Sequence, residues 1–115
     1  MKKQIYISTS FEGLHQWKDA PDQVDFLRSA HRHIFNIKIY FEVNHNDRDL
    51  EFFMMKSEIN NLIEHIYITN HNWLKLVWSC EMIAQDILER YESDKKYITK
   101  IEVNEDWENG IEFIH

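Results

Sequence analysis

The sequence has little glycine, proline or cysteine: two glycines, one proline and one cysteine in 115 residues. This scarcity excludes a flexible linker, a collagen-like repeat and a low-complexity segment. Since Cys80 is the single cysteine, an internal disulfide is excluded and a reducing, cytoplasmic location is expected. No apolar run reaches the length of a signal peptide or a spanning helix, so neither is expected.

Basic residues are also few, with 13 Lys and Arg against 20 Asp and Glu and a formal net charge of −7. Nucleic acids and anionic membranes are bound by clustered basic residues, so neither partner is expected. Hydrophobic residues are abundant at 43%, and 14% of the residues are aromatic. This composition and length predict one globular domain over residues 1–115.

The hydrophobic residues in the first half of the chain predict two strands. Ile5, Ile7 and Phe11 predict a first strand that continues or bulges near Gly13. Residues 31–43 are dense in β-branched and aromatic side chains, which predicts a long second strand.

The second half predicts two helices and then two strands. Each helix has apolar residues along one face: Met55, Ile59, Leu62, Ile63 and Ile66 in the first, and Ile83, Ala84, Ile87, Leu88 and Tyr91 in the second. Ser79 is the expected N-cap of the second helix. The final strands span residues 97–106 and 110–115, with a tight turn at Asn109-Gly110. The predicted fold is therefore α+β, ββααββ, an antiparallel four-stranded sheet with two helices on one face.

Histidine is frequent, with seven in the chain, and three of them are expected to meet. His31 and His33 in "SAHRHIFNIKIYFEV" project from the same face of a strand because successive side chains alternate. His15 ends the first strand, and strands that follow each other usually pair. Three imidazoles with an open fourth position form a catalytic zinc site. Because H-x-H alone is a weak motif, surface or hydrogen-bonded core histidines remain the alternative.

The stretches "FEGLH" and "HRH" resemble the zinc motifs F-x-A-A-H and H-G-H of the 6-pyruvoyltetrahydropterin synthase and 6-carboxytetrahydropterin synthase family, which has the tunnelling fold. The resemblance follows the family's order over nearly the whole chain and marks a divergent member. It implies Zn²⁺ held by His15, His31 and His33. It also implies a homo-oligomer, a trimer or hexamer, whose sheets close into a barrel with sites between subunits.

Two further stretches carry the resemblance. "CEMIAQDI" matches the family's S-E pair with Cys80 and Glu81, and "IEVNEDWENGIEF" matches its pterin-anchoring glutamate with Glu105. A carboxylate can accept two parallel hydrogen bonds from the N–H and NH₂ edge of a pterin. The alternative is that Glu105 is one more acid in a solvated turn.

The departures from the family concern its proton-transfer residues. Leu27 stands where the bacterial enzymes have a catalytic cysteine, and Asp25 is the only acid near that position. "TNHNWLK" best matches the family's Asp-His pair, which makes His71 the predicted catalytic residue but places Asn70 where the carboxylate should be. An amide supports the pKa of a histidine less than a carboxylate does. Cys80 is either a replacement nucleophile or inert packing.

Two other features have structural as well as functional interpretations. Arg32 replaces the glycine of H-G-H and is expected to point away from the metal face, where it binds an anion, contacts a subunit or is solvated. His45, Asp47, Asp49 and Glu51 form a metal-like run. Acids at a helix start stabilise the helix dipole, so the structural interpretation is preferred here.

Three functions are compatible with these residues. The first is a zinc-dependent pterin enzyme, a lyase acting on 7,8-dihydroneopterin triphosphate or a related pterin or purine in a deazapurine or queuosine pathway, as the resemblance implies. The second is an altered homologue that binds a pterin or purine nucleotide without that reaction. The third is a different reaction on a purine-like substrate, with zinc-bound water as the nucleophile.

Overall fold

The computed structural model describes residues 1–69, 77–91 and 98–115. The strands are β1 Gln4–His15, β2 His31–Glu42, β3 Ile98–Glu105 and β4 Asn109–Ile114. The helices are α1 Phe52–Ile63 and α2 Cys80–Arg90; a 3₁₀ helix, Asp22–Arg28, precedes β2, and a π-helical segment, Glu64–Thr69, continues α1. The predicted ββααββ order is confirmed.

The four strands form one antiparallel sheet in the order β1-β2-β3-β4. Ile7 pairs with Ile39 across the first ladder, and Ile37 pairs with Val103 across the second. Because side chains alternate between the faces, these pairs place their apolar side chains on the same side of the sheet.

The hydrophobic core lies between that side of the sheet and the two helices. Among the described residues, Ile59 of α1 and Ile87 of α2 pack with Ile39 and Ile101 of the sheet, each at most 1% exposed. This burial is the main stabilisation of the fold. In β1 and β2 the odd-numbered residues face the core, so His15, His31 and His33 extend the same face beyond its apolar part.

The first strand continues past Gly13 without a bulge. Gly13 pairs with His33 in an unbroken register that ends at His15↔His31. A Cβ at Gly13 would lie 3.1 Å from the Phe35 ring, so glycine permits this close packing. The sheet's register shift lies between Tyr40 and Phe41 instead.

The prediction of a turn at Asn109-Gly110 was wrong, because the β3–β4 turn is formed by residues 106–108 and Asn109 begins β4. Asp106 and Trp107 hold the left-handed backbone conformation, with φ of 54° and 64°. The amide of Trp107 donates to Asn104 Oδ1 at 3.0 Å, and this side-chain contact stabilises the turn. Gly110 is needed for another reason: a Cβ there would lie 2.4 Å from the carbonyl oxygen of Val103.

The start of α2 agrees with the sequence. The amide of Met82 donates to Ser79 Oγ at 3.2 Å, so Ser79 is the N-cap.

In the part of the chain that the structure describes, no helix combines the length and apolar character that crossing a membrane requires.

Candidate metal centre

His15, His31 and His33 come together at the end of the β1–β2 ladder. Their ring centroids are 4.4 Å apart for His15 and His31, 4.7 Å for His15 and His33, and 4.9 Å for His31 and His33. One nitrogen from each ring lies within 4.8 Å of the others, and the three side chains are half-buried. Among the described residues, this is the only cluster with the geometry of a metal site.

The Nδ1 atoms of the three rings each have a different oxygen partner. His15 Nδ1 lies 3.2 Å from the carbonyl oxygen of Trp78, His31 Nδ1 lies 2.8 Å from that of Ser29, and His33 Nδ1 lies 2.6 Å from Asp106 Oδ2. A carbonyl or carboxylate oxygen only accepts, so each contact favours the tautomer with the hydrogen on Nδ1, which leaves the lone pair on Nε2. Metal-binding histidines are held in this way.

The Nε2 atoms of His31 and His33 are buried and have no hydrogen-bond partner among the described residues. A buried polar atom without a partner costs free energy, and a metal ion would remove that cost. Burial is the largest cause and lowers the pKa of His15, against the opposite effects of its contact with Trp78 and of the charge of Glu105. A lowered pKa favours the neutral imidazole that binds metals. The donor set therefore fits a transition-metal ion of the kind that imidazoles bind, zinc among them.

Glu105 ends β3 beside the three histidines. Its Oε1 lies 3.6 Å from His15 Nε2, and its Oε2 lies 3.5 Å from His33 Nε2. The thiol of Cys80 donates to Oε1 at 3.6 Å. Burial, followed by the negative charge of Glu105, raises the pKa of Cys80 to about 12. Cys80 is therefore a protonated thiol at neutral pH, which argues against a thiolate nucleophile.

A cavity of about 550 Å³ opens beside this cluster. Its apolar and aromatic wall includes Trp17, Leu27, Val77, Trp78 and Met82, and its polar wall includes His15, His31, Glu81 and Glu105. Organic ligands are commonly bound in cavities of this size, with apolar walls and a few polar groups.

The remaining candidate residues lie in different places. Leu27 lines the cavity, whereas Asp25 is exposed on the 3₁₀ helix. Arg32 lies on the opposite face of β2, where its Nε contacts the carboxylate of Glu12, as strand alternation predicts. His71 and Asn70 lie outside the described residues.

The run from His45 to Glu51 has local structural partners. The carboxylate of Glu51 caps α1 by accepting from the amide of Phe53. Asp49 accepts from the amide of Asn44 at 2.8 Å, and its Oδ1 lies 3.4 Å from His45 Nε2. These contacts support the structural interpretation.

Sequence reasoning missed Asp106, which contacts His33 through the β3–β4 turn. Asp106 follows the predicted anchor Glu105 and ends the strand predicted over residues 97–106, but neither position indicates a contact with the histidines. The two contacting residues are 73 positions apart in the chain. Only the register of β2 on β3, which places Glu105 beside Phe35, could have indicated the contact.

No protein-family model and no curated protein matches the sequence. A solved structure, that of 6-pyruvoyl tetrahydropterin synthase from Caenorhabditis elegans, is similar to this chain with a TM-score of 0.67 and 12% sequence identity. The similarity covers 100% of this chain and 96% of that one. The chain therefore has the α+β tunnelling fold of that enzyme.

Proposed function

We propose that this protein is a zinc-dependent enzyme that acts on a pterin, in the manner of 6-carboxytetrahydropterin synthase. The proposed substrate is 7,8-dihydroneopterin triphosphate or a related pterin or purine compound. The observation that carries the proposal is the cluster of His15, His31 and His33 beside a carboxylate and a cavity of about 550 Å³. The fold shared with a 6-pyruvoyl tetrahydropterin synthase supports it.

The three Nε2 atoms would hold the zinc ion, because the Nδ1 atoms are already engaged by Trp78, Ser29 and Asp106. When bound, zinc supplies a Lewis acid that polarises an oxygen of the substrate. A three-histidine set leaves a coordination position free for that oxygen.

Glu105 is proposed to hold the pterin ring. Its carboxylate borders the cavity and can accept from the ring N–H and the NH₂ group together. Cys80 donates its thiol hydrogen to Oε1, which fixes the carboxylate without neutralising its charge. In this proposal the ring would lie between the carboxylate and the apolar wall of the cavity.

The apolar wall would exclude water from the substrate. Trp17 and Trp78 present aromatic surface to the cavity, and a flat heteroaromatic ring packs well against such surface.

Cleavage of the side chain to give 6-carboxytetrahydropterin, on the way to deazapurines, requires a proton carrier as well. His71 is the proposed carrier.

A second function is favoured by Leu27, which puts an aliphatic side chain in the cavity wall at the position of the family's catalytic cysteine. An aliphatic side chain cannot transfer a proton. The protonated Cys80 thiol does not replace it as a base. The second candidate is therefore a protein that binds a pterin or purine nucleotide without the family reaction.

A single assay separates the two functions. The zinc-loaded protein is incubated with 7,8-dihydroneopterin triphosphate, and products are followed by mass spectrometry while binding is measured by calorimetry. Carboxypterin or acetaldehyde formation supports the enzyme, and tight binding without product supports the binding protein. Glu105→Gln should weaken binding, whereas Glu12→Gln, on the opposite face of the sheet, should not. Neither binding nor turnover would contradict both functions.

A further inference from the structure

We propose that Asp106 is a positioning residue of the metal centre, which holds His33 in the tautomer whose Nε2 can bind zinc. The proposal rests on the zinc centre described above. It adds a residue that acts through a histidine rather than on the metal or the substrate.

The carboxylate of Asp106 is held by two contacts. Its Oδ2 accepts from His33 Nδ1 at 2.6 Å, and its Oδ1 accepts from the amide of Ile34 at 2.8 Å. The amide of Asp106 in turn donates to the carbonyl oxygen of Ile34 at 2.8 Å. One oxygen is therefore fixed by the backbone beside His33, and the other is left facing the imidazole.

The β3–β4 turn is shaped to present this carboxylate. Asp106 has a φ of 54°, a left-handed conformation that aspartate tolerates better than most residues. Asn104 Oδ1 accepts from the amide of Trp107 and from Asn36 Nδ2, at 3.0 and 2.9 Å. Asn36 is only 3% exposed, so the buried part of the sheet anchors the turn.

His33 differs from the other two histidines in the kind of acceptor it has. His15 and His31 donate to backbone carbonyl oxygens, whereas His33 donates to a carboxylate. A carboxylate fixes the tautomer and also makes the ring a stronger metal ligand. Asp106 is therefore the acceptor that substitution can change without altering the backbone.

Asp106→Asn tests the proposal because it preserves the shape of the side chain. Its amide oxygen can keep the hydrogen bond from the Ile34 amide, and its NH₂ group then faces His33 Nδ1. A donor at that position makes Nδ1 the acceptor and moves the ring hydrogen to Nε2. Nε2 then has no lone pair for zinc.

The first measurement is zinc affinity by competition with a chromophoric chelator. We expect Asp106→Asn to bind zinc about 10- to 100-fold more weakly than the unmodified protein. Asp49→Asn is the matched control, because Asp49 also contacts an imidazole, that of His45, which lies outside the cluster. The zinc affinity of the Asp49→Asn variant should be unchanged.

The second measurement is ¹⁵N NMR of the metal-free protein at pH 8, which reports the tautomer of each histidine. We expect the Nδ1–H tautomer at His33 in the unmodified protein and the Nε2–H tautomer in Asp106→Asn. This measurement on the unmodified protein tests the proposal even if the variant fails to fold. An Nε2–H tautomer of His33 in the unmodified protein would overturn the proposal. An unchanged zinc affinity in a folded Asp106→Asn variant would overturn it as well. No zinc binding by the unmodified protein, with His33 in the Nδ1–H tautomer, would instead overturn the zinc centre.

Discussion

At the scale of single residues, the candidate site depends on hydrogen bonds that lie behind the histidines. Three oxygens, those of Trp78, Ser29 and Asp106, engage the Nδ1 atoms. The rings are thereby oriented before any metal arrives, so little side-chain entropy remains to be lost on binding. Because the unfolded chain lacks this arrangement, zinc should bind the folded protein and stabilise it.

We expect zinc to raise the melting temperature of the unmodified protein but not that of His31→Ala. A ligand present at 100 times its Kd adds about 2.7 kcal/mol to the free energy of unfolding. Differential scanning fluorimetry with and without zinc measures the difference. His45→Ala, outside the cluster, is the control and should respond like the unmodified protein. Equal stabilisation of His31→Ala would show that zinc binds elsewhere.

The Cys80 thiol should react slowly with iodoacetamide. With a pKa of about 12, only about one molecule in ten thousand carries a thiolate at pH 8, and the side chain is buried as well. Since the raised pKa keeps the Cys80 thiol protonated, the rate of its labelling by iodoacetamide should still increase with pH above pH 10. Glu105→Gln removes the neighbouring charge and should increase the rate at pH 8. Fast labelling of the metal-free, folded protein would contradict this account of Cys80.

Sequence reasoning could predict the cluster because strand alternation and pairing are local rules. These rules place His31 and His33 on one face of β2, and they place His15 next to them on the same face of the neighbouring strand β1. Asp106 could not be found in this way, because its contact depends on the path of a turn. The role of Glu105 as a pterin anchor stays a prediction.

At the scale of elements, the β3–β4 hairpin shows where a common turn signal fails. Asn-Gly is typical of tight hairpin turns, but here both residues belong to β4 and pair with Glu105 and Asn104 of β3. The turn is built instead by Asp106 and Trp107, whose left-handed conformations are supported by Asn104 and by the contacts of Asp106 with Ile34. Long-range contacts therefore outweighed the local preference.

Gly110→Ala should lower the free energy of unfolding by about 1–3 kcal/mol, the usual effect of overpacking. A Cβ at this position would lie 2.4 Å from a backbone oxygen, that of Val103, which cannot move without disturbing the ladder. Gly13→Ala is the comparison, because its Cβ would meet the Phe35 ring at 3.1 Å and a ring can shift. Urea unfolding of both variants measures the difference. A larger loss for Gly13→Ala would contradict this explanation of Gly110.

At the scale of the whole molecule, helices cover one face of the sheet, and both edges of the sheet are open in the described part of the chain. In the described residues no strand pairs with the outer edge of β1 or of β4. Open edges favour pairing with another chain. The ββααββ order could be predicted because each element has a clear hydrophobic period, whereas the assembly depends on surfaces that periodicity does not describe.

We expect the protein to form a trimer or hexamer through these edges. Light scattering coupled to size-exclusion chromatography should give a molar mass of three or six times the 14.1 kDa of the chain. The same mass at several protein concentrations would distinguish a stable assembly from weak association. A 14.1 kDa species at all concentrations would contradict the prediction.

The most direct test of the central claim is zinc content by elemental analysis, combined with X-ray absorption spectroscopy of the zinc-loaded protein. We expect one zinc per chain with three imidazole ligands, and loss of that zinc in His15→Ala, His31→Ala and His33→Ala. His45→Ala should keep it. Absence of zinc after exposure to excess metal, or a zinc retained by all three variants, would contradict the proposed centre.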